Sequence, residues 1–448
     1  MQIAGVLQLT NRTLYGMTAR NIPMYLFTPL NRVFSDMAVA SSTKKKNKNL
    51  LVLVNPLPES GESSLPRGAL RSVIGECGDM DAERKAIHYA YSPIRWSTFP
   101  AIVEPIGTVH ESLEDVPTIN IDPPGCRDID DCVSIWRGEG CTKVAITIAD
   151  VAEWVRFNPW MKHAATIGQT LYNTDGTIIQ SMFPHEHRMS LMPKCRRLCI
   201  ALTFDWMDER PTFENVRFKE VSIVNKASYT YDNVHEATDF PVKTLRALCE
   251  FIASKPLPDA HDWVETLMTT YNLKLAEHLC RNIGDGLLRA HDAPKVLKSL
   301  NYESLGLPEH LTMSSARYEP VSSAAIHHTF GKAYTHGTSP IRRWADVVNQ
   351  MALKRMDIDY KYADACNQLQ SYAKRHARDI QFLDILESKK EERAVRGIVV
   401  SESRIWVSVW NRLITCRTNV PTGTKVDVDY HLDMSKPTWK QRVVFRAV

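Results

Sequence analysis

Residues 122–132 read DPPGCRDIDDC, so Asp122, Asp128, Asp130 and Asp131 crowd around two prolines and a glycine. No other stretch restricts the fold as much, because it joins strong mutual repulsion to a backbone with little freedom. Pro124 fixes φ at the first corner of a turn, and Gly125 accepts the positive φ of the second. The turn folds Asp122 back toward Asp128. In an extended chain Asp128 and Asp130 share a face while Asp131 points away. All four converge only if 128–131 is irregular just before the strand-like run CVSIW begins.

Two unit charges about 4 Å apart repel by roughly 4 kcal/mol at an effective dielectric of 20. Converging carboxylates therefore need a cation or raised pKa values. Oxygen ligands without His or Cys favour Mg²⁺ or Mn²⁺ over Zn²⁺. The spacing is not that of an EF-hand loop, whose central Gly and closing Glu are misplaced here. On these residues alone two readings stand side by side: a metal cage and a charged surface loop.

The rest of the chain sets the frame. Its 448 residues allow two or three domains, and 44% hydrophobic with 24% charged residues is ordinary for a folded protein. The best apolar run, LLVLV at 50–54, falls far short of the roughly 18 residues that span a membrane. No membrane association is expected. Ten cysteines without a CxxC pair point to reduced thiols and a cytoplasmic protein. Cys195 and Cys199 come nearest to a metal spacing, but no matching pair follows. Arg12, Arg20 and Arg32 precede the first acidic residue, Asp36, as in a transit peptide. The same segment also reads as strands, so mitochondrial targeting is the lesser expectation. A net charge of +4 permits nucleic-acid binding without arguing for it.

Short apolar runs make residues 1–100 β-rich: IAGVLQLT, NRTLYGMT, IPMYLFTPL and NLLVLVNPL. ASSTKKKNKN at 40–49 reads as an exposed basic loop, either a solvated tip or a nucleic-acid contact. Strands dominate from about 100 to 235, with CVSIW and KVAITIADVAEWV flanking the turn RGEG. Helical periodicity runs from 242 to 290, resumes after Pro340 and spans about 360–395. The last fifty residues return to strands. The outline is α+β and multidomain: a β module, a central mixed α/β body and a short β module.

A second chemistry-bearing stretch is YTHGTSPIRRWADVVNQ, residues 334–350. Ser339 can cap a helix there, and Pro340 suits its first position. Arg342 and Arg343 in a first turn oppose the helix dipole. They make sense if an anion such as phosphate also docks at that end. Surface salt bridges are the plainer alternative.

Together, IDPPGCRDIDDCVSI and YTHGTSPIRRWADVV resemble the two signature blocks of the ribonuclease II family, the RNB domain. IADVAEWV, SYTYDNV, WVETLMTTYN and LLRAHDAP fit between them in the family's order. The resemblance covers about 100–390. It implies a central RNB catalytic domain, residues 101–390, flanked by OB-type β-barrels: a cold-shock-like RNA-binding module at 1–100 and a short closing one at 391–448.

By the same resemblance the chain would be a 3′-to-5′ exoribonuclease. It would hydrolyse single-stranded RNA to nucleoside 5′-monophosphates with Mg²⁺, or Mn²⁺ in its place. Asp122, Asp128, Asp130 and Asp131 would hold two metal ions and the attacking water, with Asp128 and Asp130 catalytic. Arg342 would bind the scissile phosphate and stabilise its developing charge, beside Ser339 and Arg343 on the RNA. Tyr231 would stack on a base, with core packing as its alternative role. A monomer threading RNA into a buried site follows, partner proteins being left open.

The chain departs from the family pattern at Gly337, Trp344 and Asn349, and Ala377 stands where some members carry a glutamate. These departures motivate a second reading, a catalytically weak RNA-binding or regulatory protein of the same fold.

Overall fold

The computed structural model describes residues 2–44, 46–58, 65–92, 94–96, 98–106, 111–207, 212–294, 304–308, 311, 313–359, 361–388 and 394–448. Strands β1 (Ile3–Leu7), β2 (Met24–Pro29), β3 (Met37–Ala40), β4 (Leu50–Pro56) and β5 (Arg67–Glu76) close into a barrel. Their order is β1-β2-β3-β5-β4, with a parallel seam between β3 and β5. Ile3, Leu7, Tyr25, Phe27, Val39, Val52 and Val54 fill the interior. NRTLYGMT is loop rather than strand, and MAVA supplies the third strand instead. Of the basic loop, Lys45 lies outside the described residues; Lys44, Lys46 and Lys48 are exposed.

Helix α1 (Met80–Tyr91) follows the barrel, where the sequence suggested only strands. Asp79 caps it by accepting the Ala82 N–H at 2.9 Å, and Glu83 adds an acid to the first turn. Ile87, Ala90 and Tyr91 pack it against Leu53 of the barrel and Leu383 of a later helix.

The central body is built on a seven-stranded sheet in the order β14-β7-β8-β9-β12-β13-β6. Its members are β6 (Glu111–Ser112), β7 (Thr118–Asp122), β8 (Asp131–Arg137), β9 (Cys141–Ala149), β12 (Arg196–Met207), β13 (Phe213–Val224) and β14 (Ala227–Thr230). Two small strands, β10 (Leu171–Tyr172) and β11 (Ile178–Gln180), form a hairpin between β9 and β12 in sequence. Alternation along β9 sorts the two faces. Val144, Ile146 and Ile148 join the core beneath helices α3 (Phe240–Ala253) and α4 (Ala260–His278). Ala145 and Ala149 face α2 (Val151–Phe157) and α5 (Trp344–Leu353), where small side chains leave room for Trp154 and Trp344.

Three boundaries differ from the sequence reading. DVAEWV leaves the sheet and becomes α2, because Asp150 accepts the Glu153 N–H at 3.0 Å and starts a helix. LLRA ends the helical stretch as strand β15 (Leu287–Ala290), paired with β16 (Arg317–Pro320). Helix α5 begins at Trp344, four residues after Pro340, so Ser339 is not its cap.

Helix α6 (Tyr362–Ser388) runs toward the C-terminal sheet of β17 (Ala394–Ser401), β18 (Arg404–Val407), β19 (Arg412–Thr415), β20 (Lys425–Leu432) and β21 (Val443–Ala447). The order β19-β18-β17-β20-β21 repeats that of the first barrel, opened at the seam between its third and fifth strands. There Cys416 Sγ still reaches Phe445 O at 3.6 Å. Helix α7 (Trp439–Arg442) precedes the last strand, and buried Asp379 of α6 pairs with Lys440 at 2.7 Å.

Candidate functional site

The acidic stretch bridges two neighbouring strands. Asp122 ends β7, Asp131 begins β8, and the residues between them form no strand. Gly125 adopts φ +78°, and the Cys126 N–H closes the turn on Pro123 O at 3.2 Å. This is the turn that the prolines and glycine predicted. The return is pinned from behind: Ile129 N–H donates to Ser190 Oγ at 3.0 Å, and Ala149 N–H to Asp130 O at 2.9 Å.

The second block arrives from the far side of the sequence. Ile341 N–H donates to Asp130 Oδ1 at 2.8 Å, and Arg342 Nε to Asp130 Oδ2 at 3.1 Å. Arg342 Nη2 also donates to Ser339 Oγ at 2.9 Å. Buried Asp346 then organises the turn by accepting Ser339 N–H at 2.8 Å and a two-pronged contact from Arg343. Arg342 keeps 47% of its side chain exposed, whereas Arg343 is tied to a fully buried partner. The two arginines, equivalent in sequence terms, therefore differ. Arg343 braces the turn; Arg342 remains open to a ligand.

All four aspartates, Tyr231, Ser339, Arg342 and Arg343 line one cleft of about 1430 Å³. Tyr231 comes there because β14 pairs in parallel with β7, setting Thr230 opposite Asp122. Its ring lies 3.5 Å from that of His261 at 17°, so one face is already stacked. Sequence reasoning missed Tyr172, which lines the cleft and donates its hydroxyl to Asp128 Oδ2. It also missed Phe330, Tyr334 and His336 on the cleft wall. TLY offered no charge or spacing to single Tyr172 out; only the fold brings β10 beside the acids.

Burial dominates the electrostatics. It pushes Asp130 up to about 7, against the opposing pull of Arg342 and the Ile341 N–H. Burial and then the charges of Asp122 and Asp130 raise Asp131 well above the usual carboxylate range. Asp122 is raised by burial, with the Asn120 amide at 2.8 Å working the other way. No hydrogen-bond donor among the described residues reaches the Asp131 carboxylate. A cluster of hard oxygen donors that resist ionisation together is the chemistry a divalent cation relieves. The residues fit such an ion.

The carboxylate oxygens do not close into a tight three-ligand set, because Asp130 is turned to Ile341 and Arg342 and Asp128 to Tyr172. Among the described residues only Asp150, Glu153 and Glu220 bring three ligand atoms within 4.8 Å of one another. Lys354 Nζ sits among those at 2.7, 2.9 and 2.6 Å and supplies the positive charge itself.

Three of the four departures from the family pattern, Gly337, Trp344 and Asn349, are framework positions. Trp344 is buried against Phe183 and Tyr362. Asn349 accepts Leu287 N–H at 2.7 Å and donates to Thr335 Oγ1 and His336 O at 2.8 Å each, holding the irregular segment that leads to the arginines. A Cβ on Gly337 would lie 2.2 Å from Leu275 Cδ2, so helix α4 occupies the space of a larger residue. Ala377 is exposed on α6.

Comparison with known proteins agrees with this architecture. The chain is 22% identical to a probable exosome complex exonuclease RRP44 of Caenorhabditis elegans, over 96% of this chain and 57% of that protein. It is also 22% identical to the human exosome complex exonuclease RRP44, over 82% and 50%. The chain thus spans about half the length of the curated relatives it matches. Among solved structures it resembles Mycoplasma genitalium RNase R in complex with ribose-methylated single-stranded RNA. That match has TM-score 0.77, 16% identity, and covers 100% of this chain and 90% of the other. Yeast Ssd1, a pseudonuclease, matches with TM-score 0.74 and 14% identity over 97% and 67%. Among the described residues no helix is long and apolar enough to cross a membrane. The RNB domain model matches residues 110–247 and 242–357, more than half of the sequence, and the chain belongs to the RNB domain family.

Proposed function

We propose that this chain degrades single-stranded RNA from its 3′ end, releasing nucleoside 5′-monophosphates. The observation that carries the reading is the meeting of four carboxylates with a half-exposed arginine in one cleft, although 212 residues separate Asp130 from Arg342. Asp122, Asp128, Asp130 and Asp131 would hold Mg²⁺, or Mn²⁺, which when bound supplies an activated water and stabilises the attacking and leaving oxygens. Arg342 supplies fixed positive charge for the equatorial oxygens of the phosphate. Ser339 holds the Arg342 guanidinium, and Arg343 with Asp346 holds Ser339. Tyr172 orients Asp128. Tyr231 offers a base-stacking face that is indifferent to sequence.

The first barrel, within 1–100, and the C-terminal sheet, within 391–448, are proposed as the RNA-guiding modules around the catalytic body at 101–390. Turnover of a 5′-labelled RNA with Mg²⁺ or Mn²⁺ tests the reading. Shortening from the 3′ end by wild type but not by Asp130→Asn is expected. Intact RNA with both proteins would sink it.

The likeness to a pseudonuclease, and carboxylates that turn toward protein partners, favour a second reading: RNA binding with weak or no catalysis. RNA affinity in EDTA, set beside turnover with metal, separates the two. Tight binding without turnover selects the second.

A further inference from the structure

Arg343 and Arg442 are each tied to a buried carboxylate, Asp346 and Glu83. Arg289 on β15 is not. It is only 5% exposed, yet no ion pair joins it to a carboxylate among the described residues. Its guanidinium makes one hydrogen bond, from Nη1 to Gln370 Oε1 of α6 at 2.8 Å, and lies 4.6 Å over the Tyr318 ring. Asp346, whose charge reaches it, is already engaged by both prongs of Arg343. A buried cation is costly until a partner of opposite sign meets it. Nε and Nη2 have no hydrogen-bond partner among the described residues, and neither is sealed from solvent.

Other positive charges gather beside it. Gln370 and Lys374 stand one turn apart on the same face of α6. Lys374 is exposed, and it too lacks a carboxylate partner among the described residues. Burial, then the charges of Arg289 and Arg378, hold its ammonium below the ordinary value. The place adjoins the acidic cleft. Arg289 N–H donates to Tyr334 O at 2.7 Å, and the Tyr318 hydroxyl meets His336 Nδ1 at 2.7 Å. Tyr334 and His336 both line the cleft.

We propose that Arg289 and Lys374 grip one phosphate group of an RNA strand just outside the acidic cleft. Arg289 supplies fixed planar N–H donors, and Lys374 supplies a flexible point charge. A backbone phosphate carries no base identity, so this hold positions the strand without reading its sequence. RNA as the source of the phosphate rests on the exonuclease reading; the demand for an anion rests on Arg289 itself.

Fluorescence anisotropy of the full chain with single-stranded RNA in EDTA, over a series of salt concentrations, tests this. Arg289→Gln and Lys374→Gln are each expected to weaken binding at least threefold and to flatten the slope of log K against log salt by about 0.7. A residue that merely supports the fold lowers thermal stability and leaves that slope alone. Lys374, being exposed, gives a variant that keeps the fold. In a second arm, melting temperatures are compared in phosphate and in chloride of equal ionic strength. Phosphate should raise the wild type more than either variant. Unchanged slopes together with equal phosphate shifts in all three proteins would overturn the proposal. A phosphate shift lost in both variants, with RNA binding unaltered, would overturn RNA as the source in favour of free phosphate. Wild type that bound RNA in EDTA but shortened none with Mg²⁺ would sink the exonuclease reading while the slopes still decided this one.

Discussion

Arg342 is bound to Asp130 by a hydrogen bond of 3.1 Å from Nε to Oδ2, with almost half of its side chain still open to the cleft. The pairing lets one residue serve two ends. Its Nε side is fixed by a buried carboxylate and its Nη2 by Ser339 Oγ, so the guanidinium is oriented before any phosphate arrives. Preorganised charge of this kind is lost on truncation. Arg342→Ala should lower the rate of the first cleavage on single-stranded RNA by about 10²–10³-fold. Arg342→Lys, which keeps charge but loses the planar fork, should recover only part of that. Single-turnover assays with a 5′-labelled RNA would show it, and wild-type rates in Arg342→Ala would remove Arg342 from the mechanism.

Tyr231 should matter for binding rather than for rate. One ring face is taken by His261, leaving a rigid aromatic platform for a base. Tyr231→Ala should weaken RNA binding by about 1–3 kcal/mol, measured by fluorescence anisotropy in EDTA at fixed salt. His261→Ala should act in the same direction and less strongly. If Tyr231 is only a packing residue, the variant will lose thermal stability while its RNA affinity stays put.

Much of the acidic half of this site was legible in the sequence, because prolines and a glycine beside four aspartates leave the backbone few options. The turn and the irregular segment before the strand follow from local rules, with the strand starting at Asp131, one residue before the expected Cys132. The other half was less legible. Asp346 looks like any helical acid until the fold buries it beneath Arg343, so nothing in the sequence separates the bracing arginine from the open one. Tyr172 became visible only when β10 folded against the acids. Helix α1 was hidden because its signals, the Asp79 cap and a row of alanines, sit directly against a β-barrel pattern.

Lys354 occupies the one tight acidic triad among the described residues and should be a stability residue. Its side chain is 2% exposed and pairs with Asp150 and Glu153, both buried, and with half-exposed Glu220. Lys354→Ala leaves buried Asp150 without its counter-charge and Glu153 with only the half-exposed Arg156 at 3.4 Å, a loss of about 3–5 kcal/mol. The Glu220 contact adds little, being screened by solvent. Urea unfolding followed by tryptophan fluorescence measures the loss. If instead the triad holds a metal, Lys354→Ala would gain stability on adding Mn²⁺.

Gly337 should not tolerate even a methyl group. The Leu275 side chain stands 2.2 Å from where its Cβ would be, and Tyr271 stands 3.4 Å away. Gly337→Ala is expected to cost about 1–3 kcal/mol through overpacking. Leu275→Ala in the same chain should return most of it, since the clash is with one side chain. A double variant no better than the sum of the singles would show that the backbone, not Leu275, sets the limit.

Asp130 makes stability and metal binding depend on pH in opposite ways. Its folded-state pKa of about 7 lies above the ordinary 3.8, so the folded protein holds a proton that the unfolded chain releases. That contribution is fully present below the unfolded value and is lost as pH rises from about 4 through about 7. Asp122 and Asp131 shift in the same direction. In EDTA the wild type should therefore lose stability between pH 5 and pH 8, by at most on the order of 3 kcal/mol from Asp130 alone. Asp130→Asn, which has no proton to lose, should show a flatter profile. Mg²⁺ binds the ionised carboxylates, so the melting-temperature rise it causes should be larger at pH 8 than at pH 5. A Mg²⁺ shift that is equal at both values, or equal in wild type and Asp130→Asn, would place the ion elsewhere.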